Sequence, residues 1–485
     1  MRLGAKDLRR LVRYLPAAMV GALAVAAELS TNALANIVQL KPIFGIEQVF
    51  TDNVLASSSD RDADGITILS ARLEATMQTS RIQAAAEINA FYDEFWATNT
   101  LDNFNANGFV VARAEVLERI FFIDAVVEKQ DVYLSPTDAS ATGLTTGQGT
   151  LQQKSYRVSP FVTTEVFGLA DLLVRGTYGQ VQFDKPIVGV TTTLLSDITV
   201  KHVGGRITTG ERSSLYELIG TAEYLETDLG FEQRNVVGSA YVHLTPGFSA
   251  LGRIGYERIS DPIFTTIRGT VWSLGARYRF GADSVIQVEY GRRYNDNTYL
   301  GEMSIALTPR VRLTGAYTDA LTPIQLTLVR ALTELFNEEG NLDITVPNTP
   351  PIPDPLIVDT IVRDREMRLA ATYTHGLQVY TLALEHFDRF YPSLIDNEKS
   401  IGVSFTLEEQ LSRRLSYLLH MQFQDQYDVI LTRPPSQIYR TELSFFYQYN
   451  EDVAITGGYA WRLEETVGDI DVHENVIRLG MTQAF

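Results

Sequence analysis

The closing stretch of the chain, Val472 to Phe485, admits few structures. Read backward in steps of two it gives Phe485, Gln483, Met481, Leu479 and Ile477, an apolar row with one polar member. The interleaved residues Thr482, Gly480, Arg478, Val476 and Glu474 are mostly small or polar. A period of two puts each set on its own face of a strand, so this strand has one greasy side and one polar side. The greasy side must be covered by a dry protein interior or by lipid. An edge strand of a soluble β-protein is the alternative to a membrane wall.

The rest of the chain decides between them by repetition. Trp272, Leu274, Ala276, Tyr278 and Phe280 alternate with Ser273, Gly275, Arg277 and Arg279. Leu415, Tyr417, Leu419, Met421 and Phe423 alternate with Ser416, His420, Gln422 and Gln424, and Thr441 to Tyr449 and Val453 to Leu463 repeat the pattern. Each segment is about ten residues, the length of a tilted strand crossing a bilayer. Short polar turns such as Thr245-Pro246-Gly247, Gly281-Ala282-Asp283, Leu407 to Gln410 and Asn450-Glu451-Asp452 alternate with longer connections such as Tyr391 to Glu398 and Tyr427 to Ser436. That asymmetry is how outer-membrane barrels distribute turns and external loops. The expected fold is all-β: a transmembrane, antiparallel up-and-down β-barrel of roughly 18–22 strands.

Composition agrees. The 485 residues include 23 Tyr and 23 Phe but only 3 Trp, and the aromatic residues suit half-apolar strands. Cysteine is absent, which excludes disulfides and thiolate metal sites. A net charge of −18 argues against a nucleic-acid partner.

The beginning reads as an export signal. Arg2, Lys6, Arg9, Arg10 and Arg13 precede the apolar run Leu15 to Ala27. That run falls short of the ~20 residues a membrane helix needs. Small residues at Ala33 and Ala35 suit a signal peptidase, so residues 1–35 are expected to be removed and 36–485 to form the barrel. No later run is apolar enough to be a membrane helix.

Two segments break the alternation. Asp131 to Gln153, rich in Ser, Thr and Gly, reads as a long loop. Asp319 to Val362 reads as a longer external loop. In it, Thr322-Pro323 would open a short helix, with Leu326, Val329, Leu332 and Phe336 at helical spacing and Gly340 closing it. The Pro-rich VPNTPPIPDP that follows cannot be a ladder strand. Between the first two strands, Asp60, Asp62, Asp64 and Gly65 mimic the opening of a calcium loop. Its twelfth position is Ala71 rather than a bidentate Glu, so the reading is an acidic loop without metal.

The terminal strand resembles that of bacterial outer-membrane barrels, with Phe485, Met481, Leu479 and Ile477 as the insertion signal. This implies the outer membrane of a Gram-negative bacterium, its lipid, and the barrel-assembly machinery as partners. Four further stretches stand out: Phe50 to Val54; Leu101 to Gly108 with Phe121 to Ala125; Tyr156 to Phe161; and the Pro-rich loop with Arg363 to Glu366. Together they resemble the PEP-CTERM system-associated outer-membrane proteins, a branch of β-barrel porins found with exopolysaccharide and exosortase functions. The resemblance implies a barrel porin serving polysaccharide export, with periplasmic export proteins as further partners.

If the apolar set faces lipid, the other set faces the lumen. That places Arg253, Arg277, Arg279, Arg293, Arg312, Arg368, Arg440, Arg462 and Arg478 inside with Glu257, Glu289, Glu385 and Glu442. The expected lumen is basic and favours anionic cargo such as an anionic polysaccharide. The alternative is that these arginines pair with inward carboxylates and stiffen a filled barrel. No catalytic, cofactor or metal site is expected. None of the 6 histidines lies in a metal-binding spacing, and no nucleophile elbow or phosphate loop occurs. The functional expectation is a non-enzymatic outer-membrane channel, a conduit associated with exopolysaccharide export. A general diffusion porin and a non-conducting barrel that anchors surface polymer are the alternatives.

Overall fold

The computed structural model describes residues 38–58, 61–133, 141, 150–184, 196–209, 215–262, 266–281, 283–323, 361–391, 396–428, 435–468 and 471–485. The expected signal segment and the helix expected around Leu326 to Phe336 lie outside the described residues. The chain runs through β1 (Val38–Thr51), β2 (Asp64–Gln78), β3 (Ile82–Phe95), β4 (Asn103–Leu117), β5 (Phe121–Tyr133), β6 (Thr150–Val166) and β7 (Ala170–Asp184). Next come β8 (Ile198–Thr209), β9 (Tyr216–Thr227), β10 (Glu232–His243), β11 (Phe248–Ser260), β12 (Ile267–Arg279), β13 (Val285–Arg293) and β14 (Asp296–Thr308). The last are β15 (Val311–Pro323), β16 (Ile361–His375), β17 (Gln378–Tyr391), β18 (Asp396–Gln410), β19 (Leu415–Asp428), β20 (Ser436–Gln448), β21 (Val453–Thr466) and β22 (Val472–Ala484).

Every strand pairs antiparallel with its sequence neighbours, and β1 pairs with β22 from Ile43↔Ala484 to Thr51↔Val476. The sheet of 22 strands is thus closed into a barrel without a free edge. The start of β1 and the end of β22 lie at the rim of the short turns; we call it the turn rim and the opposite one the loop rim.

Alternation fixes which face is which. On β11 and β12, Ile254 and Leu274 are each 67% exposed and point outward, whereas their neighbours Arg253 and Ser273 point inward. Trp272, Phe445 and Phe485 are exposed on the outer face. A closed wall with such a belt outside is dry only if acyl chains cover it. Aromatic residues gather at both margins. Phe50, Phe104, Tyr256 and Tyr299 lie toward the loop rim, and Phe248, Tyr278, Tyr373 and Phe445 toward the turn rim. Phe485 meets Phe44 edge-on, with ring centroids 5.7 Å apart, and seals the seam at the turn rim.

Several boundaries differ from the sequence reading. β5 runs to Tyr133 and β6 starts at Thr150, so the loop expected over 131–153 is shorter. Leu407 to Gln410 is strand rather than turn. The loop expected over 319–362 loses both ends to the ladder, because Asp319 pairs with Arg365 and Thr322 with Val362. Pro323 therefore closes β15 instead of opening a helix. The end of a strand tolerates a residue that cannot donate to the ladder. The β13–β14 connection is only Tyr294-Asn295, both with positive φ (53° and 63°), as a two-residue hairpin requires. A short hairpin at the loop rim departs from the expected asymmetry and leaves the wall low at that point.

Candidate pore lining and mouth

Register places all the predicted lumen residues on the inner face. Arg253 and Glu257 share it on β11 with Arg277 and Arg279 on β12, and with Glu289 and Arg293 on β13. Arg312 sits there on β15, and Arg368 lies opposite Glu385 across β16–β17. Glu442 lies opposite inward His420, Arg440 opposite Arg462, and Arg478 joins them on β22. Ile477, Leu479, Met481 and Phe485 are exposed on the outside.

The lumen is not basic, however, and that expectation is corrected. In the first five strands alone Glu47, Glu74, Glu87, Asp93, Asp124 and Glu128 also point inward. Arg72, Arg113, Arg157, Arg175 and Arg389 are further inward cations. Alanine-rich early strands such as β3 give a weak alternation, so their faces were illegible before pairing was known. The wall carries both signs, largely paired.

Three clusters organise it. The first joins the resembling blocks Phe121 to Ala125 and Tyr156 to Phe161. Asp124, 2% exposed, accepts from Arg113 Nε at 2.7 Å and Nη2 at 2.9 Å, and from Arg175 Nη1 at 2.9 Å. Both guanidinium groups also lie over the Phe161 ring, at 5.2 and 4.3 Å from its centroid. Phe122 stacks on Phe161 at 5.0 Å. One carboxylate thus ties β4, β5 and β7 together, and the aromatic floor fixes the arginine planes.

The second cluster forms the mouth beside the low β13–β14 hairpin. Glu257 pairs with Arg293 at 3.5 Å and accepts from the Tyr294 amide. Asp319 accepts from Thr298 Oγ1 at 2.7 Å and from both Nε and Nη2 of Arg363, at 2.9 and 2.8 Å. Asp296 accepts from Arg363 and Arg365. By strict alternation Asp319, Leu321, Arg363 and Arg365 carry the outward parity of Met367. Yet Asp319 meets inward Thr298, and Leu321 joins one buried cluster with Val200, Leu225, Phe231, Ile259 and Tyr294. The upper end of β15–β16 therefore leans over the low hairpin and lays this face across the mouth. Arg363 and Arg365, in the charged entry to β16, hold it there through Asp319 and Asp296.

The third cluster brings Ala141 against the inner wall. Arg462, 1% exposed, pairs with Glu464 at 2.5 Å and lies opposite Glu474. Ala141, from the β5–β6 connection, donates its amide to Glu474 Oε2 at 2.7 Å, and its carbonyl accepts from Arg478 Nη2 at 2.5 Å. Ala141 thus sits against the inner face of β22.

The stretch Phe50 to Val54 acts at the seam. Asn475 donates its amide and its Nδ2 to the two oxygens of Asp52, each at 2.7 Å. Asn53, fully buried, donates to the carbonyls of Ser57 (2.8 Å) and His473 (2.9 Å) and accepts from the Ser57 amide (2.9 Å). These bonds staple the first loop to the last strand where the barrel closes.

Asp64, from the acidic loop, is nearly buried and accepts from the amides of Gly65, Ala97 and Thr98. It anchors the β3–β4 connection, while Arg61, Asp62 and Ala63 just before it are exposed. Among the described residues no group of three or more His, Asp or Glu could hold a metal. His420 bonds Thr406 Oγ1 at 3.0 Å, as a polar wall residue does.

No family model matches the chain, and no curated protein matches it. Solved structures do. The FrpB iron transporter of Neisseria meningitidis (F5-1 variant) superposes with a TM-score of 0.52 at 8% identity, covering 93% of this chain and 83% of that one. The siderophore receptor PirA of Acinetobacter baumannii gives 0.51 at 8% identity, over 92% and 80%. At such identity the likeness is one of architecture: this chain has the closed antiparallel barrel fold of outer-membrane proteins.

Proposed function

We propose that the protein forms a water-filled passage through the outer membrane, narrowed in its outer half by inward ion-pair clusters. The observation that carries this reading is the division of one closed ring into an apolar exterior and a charged, partly solvated interior. Near the turn rim, inward Lys41, Arg279 and Arg312 are exposed to solvent, as side chains in a filled barrel would not be. Paired charges of both signs give no fixed preference for anions. They offer many donors and acceptors to a hydroxyl-rich solute. The sequence resemblance supports the finer reading, a conduit for exopolysaccharide, whose hydrated chain suits such a wall.

Single-channel recording of the purified full-length protein tests the passage. Stepwise conductance with a small reversal potential in a KCl gradient is expected. Silence in repeated insertions would leave a structural barrel instead. Block by added polysaccharide, with polymer retained inside cells lacking the gene, separates a polymer conduit from a general diffusion porin. Glu474→Ala removes one of the two bonds that hold Ala141, in the β5–β6 connection, against β22, so single-channel conductance should rise. Unchanged conductance would show that this connection does not narrow the passage.

A further inference from the structure

Three arginines stand side by side on the outer wall at the loop rim. Arg234 is the direct cross-strand partner of Arg258, and Arg258 of Arg268. All three are exposed and share the outward parity of Val236, Ile254, Tyr256 and Leu274. Directly opposed residues on neighbouring antiparallel strands lie only about 5 Å apart, and like charges so placed repel. Arg234 is stacked on the Tyr224 ring at 5.3 Å and held by Glu232. Arg258 and Arg268 make no ion pair or hydrogen bond with any described residue. A repulsive row kept without a carboxylate between its second and third members is the wall's half of an anion site. Immediately toward the membrane the same face continues as Val236, Tyr256 and Thr270, then Ile254 and Trp272. A ligand here would therefore have its charge at the arginines and its hydrocarbon along the apolar belt.

We propose that the Arg234–Arg258–Arg268 row binds the phosphorylated headgroup of an outer-leaflet glycolipid, with its acyl chains on the β10–β12 wall. Guanidinium forks bind phosphate bidentately, and Arg234, already oriented by Tyr224, flanks the open pair. With the turn rim periplasmic, the row stands at headgroup height in the outer leaflet. The proposal shares with the proposed passage only the outer-membrane setting. Lipid retention tests the one and conductance the other, so either can fail alone.

The full-length protein, purified in detergent, is incubated with diphosphorylated lipid A, with the same glycolipid stripped of phosphate, or with inorganic phosphate as competitor, and read by native mass spectrometry. Wild type should hold the phosphorylated glycolipid at least about tenfold better than the stripped one, since charge-assisted contacts are lost with the phosphate. Excess inorganic phosphate should not displace it. The R258Q/R268Q variant should lose that preference, R258K/R268K should keep part of it, and Lys201→Gln, on the same outer belt, should leave it unchanged. Equal retention of both glycolipids by wild type, a comparison that needs no variant, would overturn the proposal. So would full displacement by inorganic phosphate, or a phosphate preference that survives in R258Q/R268Q.

Discussion

Asp124→Ala is expected to be the most destabilising single change in the wall. It removes the one carboxylate that Arg113 and Arg175 both grip, and leaves two guanidinium groups facing each other over the Phe161 ring. Removing one partner of a buried ion pair costs ~3–5 kcal/mol, because the remaining charge stays desolvated. Arg175 is partly open to lumen water, which puts the expectation near ~3 kcal/mol. Asp124→Asn retains the shape and some hydrogen bonding and should cost about half as much. Urea titration in detergent, followed by the heat-dependent gel mobility of folded barrels, reads both. A midpoint for Asp124→Ala within error of wild type would mean that the cluster does not hold β4, β5 and β7 together.

Asn53→Ala is expected to open the seam. Its side chain makes three hydrogen bonds in a fully buried position, one of them to His473 on the last strand. Their loss removes three hydrogen bonds at a buried position, at roughly 1 kcal/mol each and about 3 kcal/mol together. The effect should be local: amides of β1 and β22 near Thr51 and Val476 should exchange faster with solvent, while those of β10–β13 should not. Uniform acceleration around the ring would argue for general destabilisation instead. Asp52→Ala, which removes two hydrogen bonds from Asn475, should show the same locality.

How far the chain could be read in advance depended on the stretch. From Trp272 onward, aromatic and aliphatic residues alternate so strictly with polar ones that the face of each strand was legible residue by residue. In β2–β5, alanine and mixed residues occupy both faces, and the inward parity of Glu74, Glu87, Asp93, Asp124 and Glu128 shows only in the pairing. The picture of a basic lumen omits these acids and also inward Glu302, Glu464 and Glu474 on the clear strands. The blocks Phe50 to Val54, Phe121 to Ala125, Tyr156 to Phe161 and Arg363 to Glu366 stood out as words without a grammar. The folded barrel supplies one: each is a set of side chains that bonds another strand or loop. No spacing along the chain links Asn53 to His473 or Ala141 to Glu474, because those separations exceed three hundred residues.

The sequence by itself determined that this chain builds strands with one apolar and one polar face, and hence a wall between lipid and water. Alternation is a property of the local backbone, and two residues suffice to show it. The tertiary structure alone decided that 22 strands close the ring, that Asp124 sits between Arg113 and Arg175, and that β15–β16 leans across the low β13–β14 hairpin. Those outcomes depend on which strands pair and in what register. That choice is settled by contacts between residues far apart in the chain, to which no local period responds.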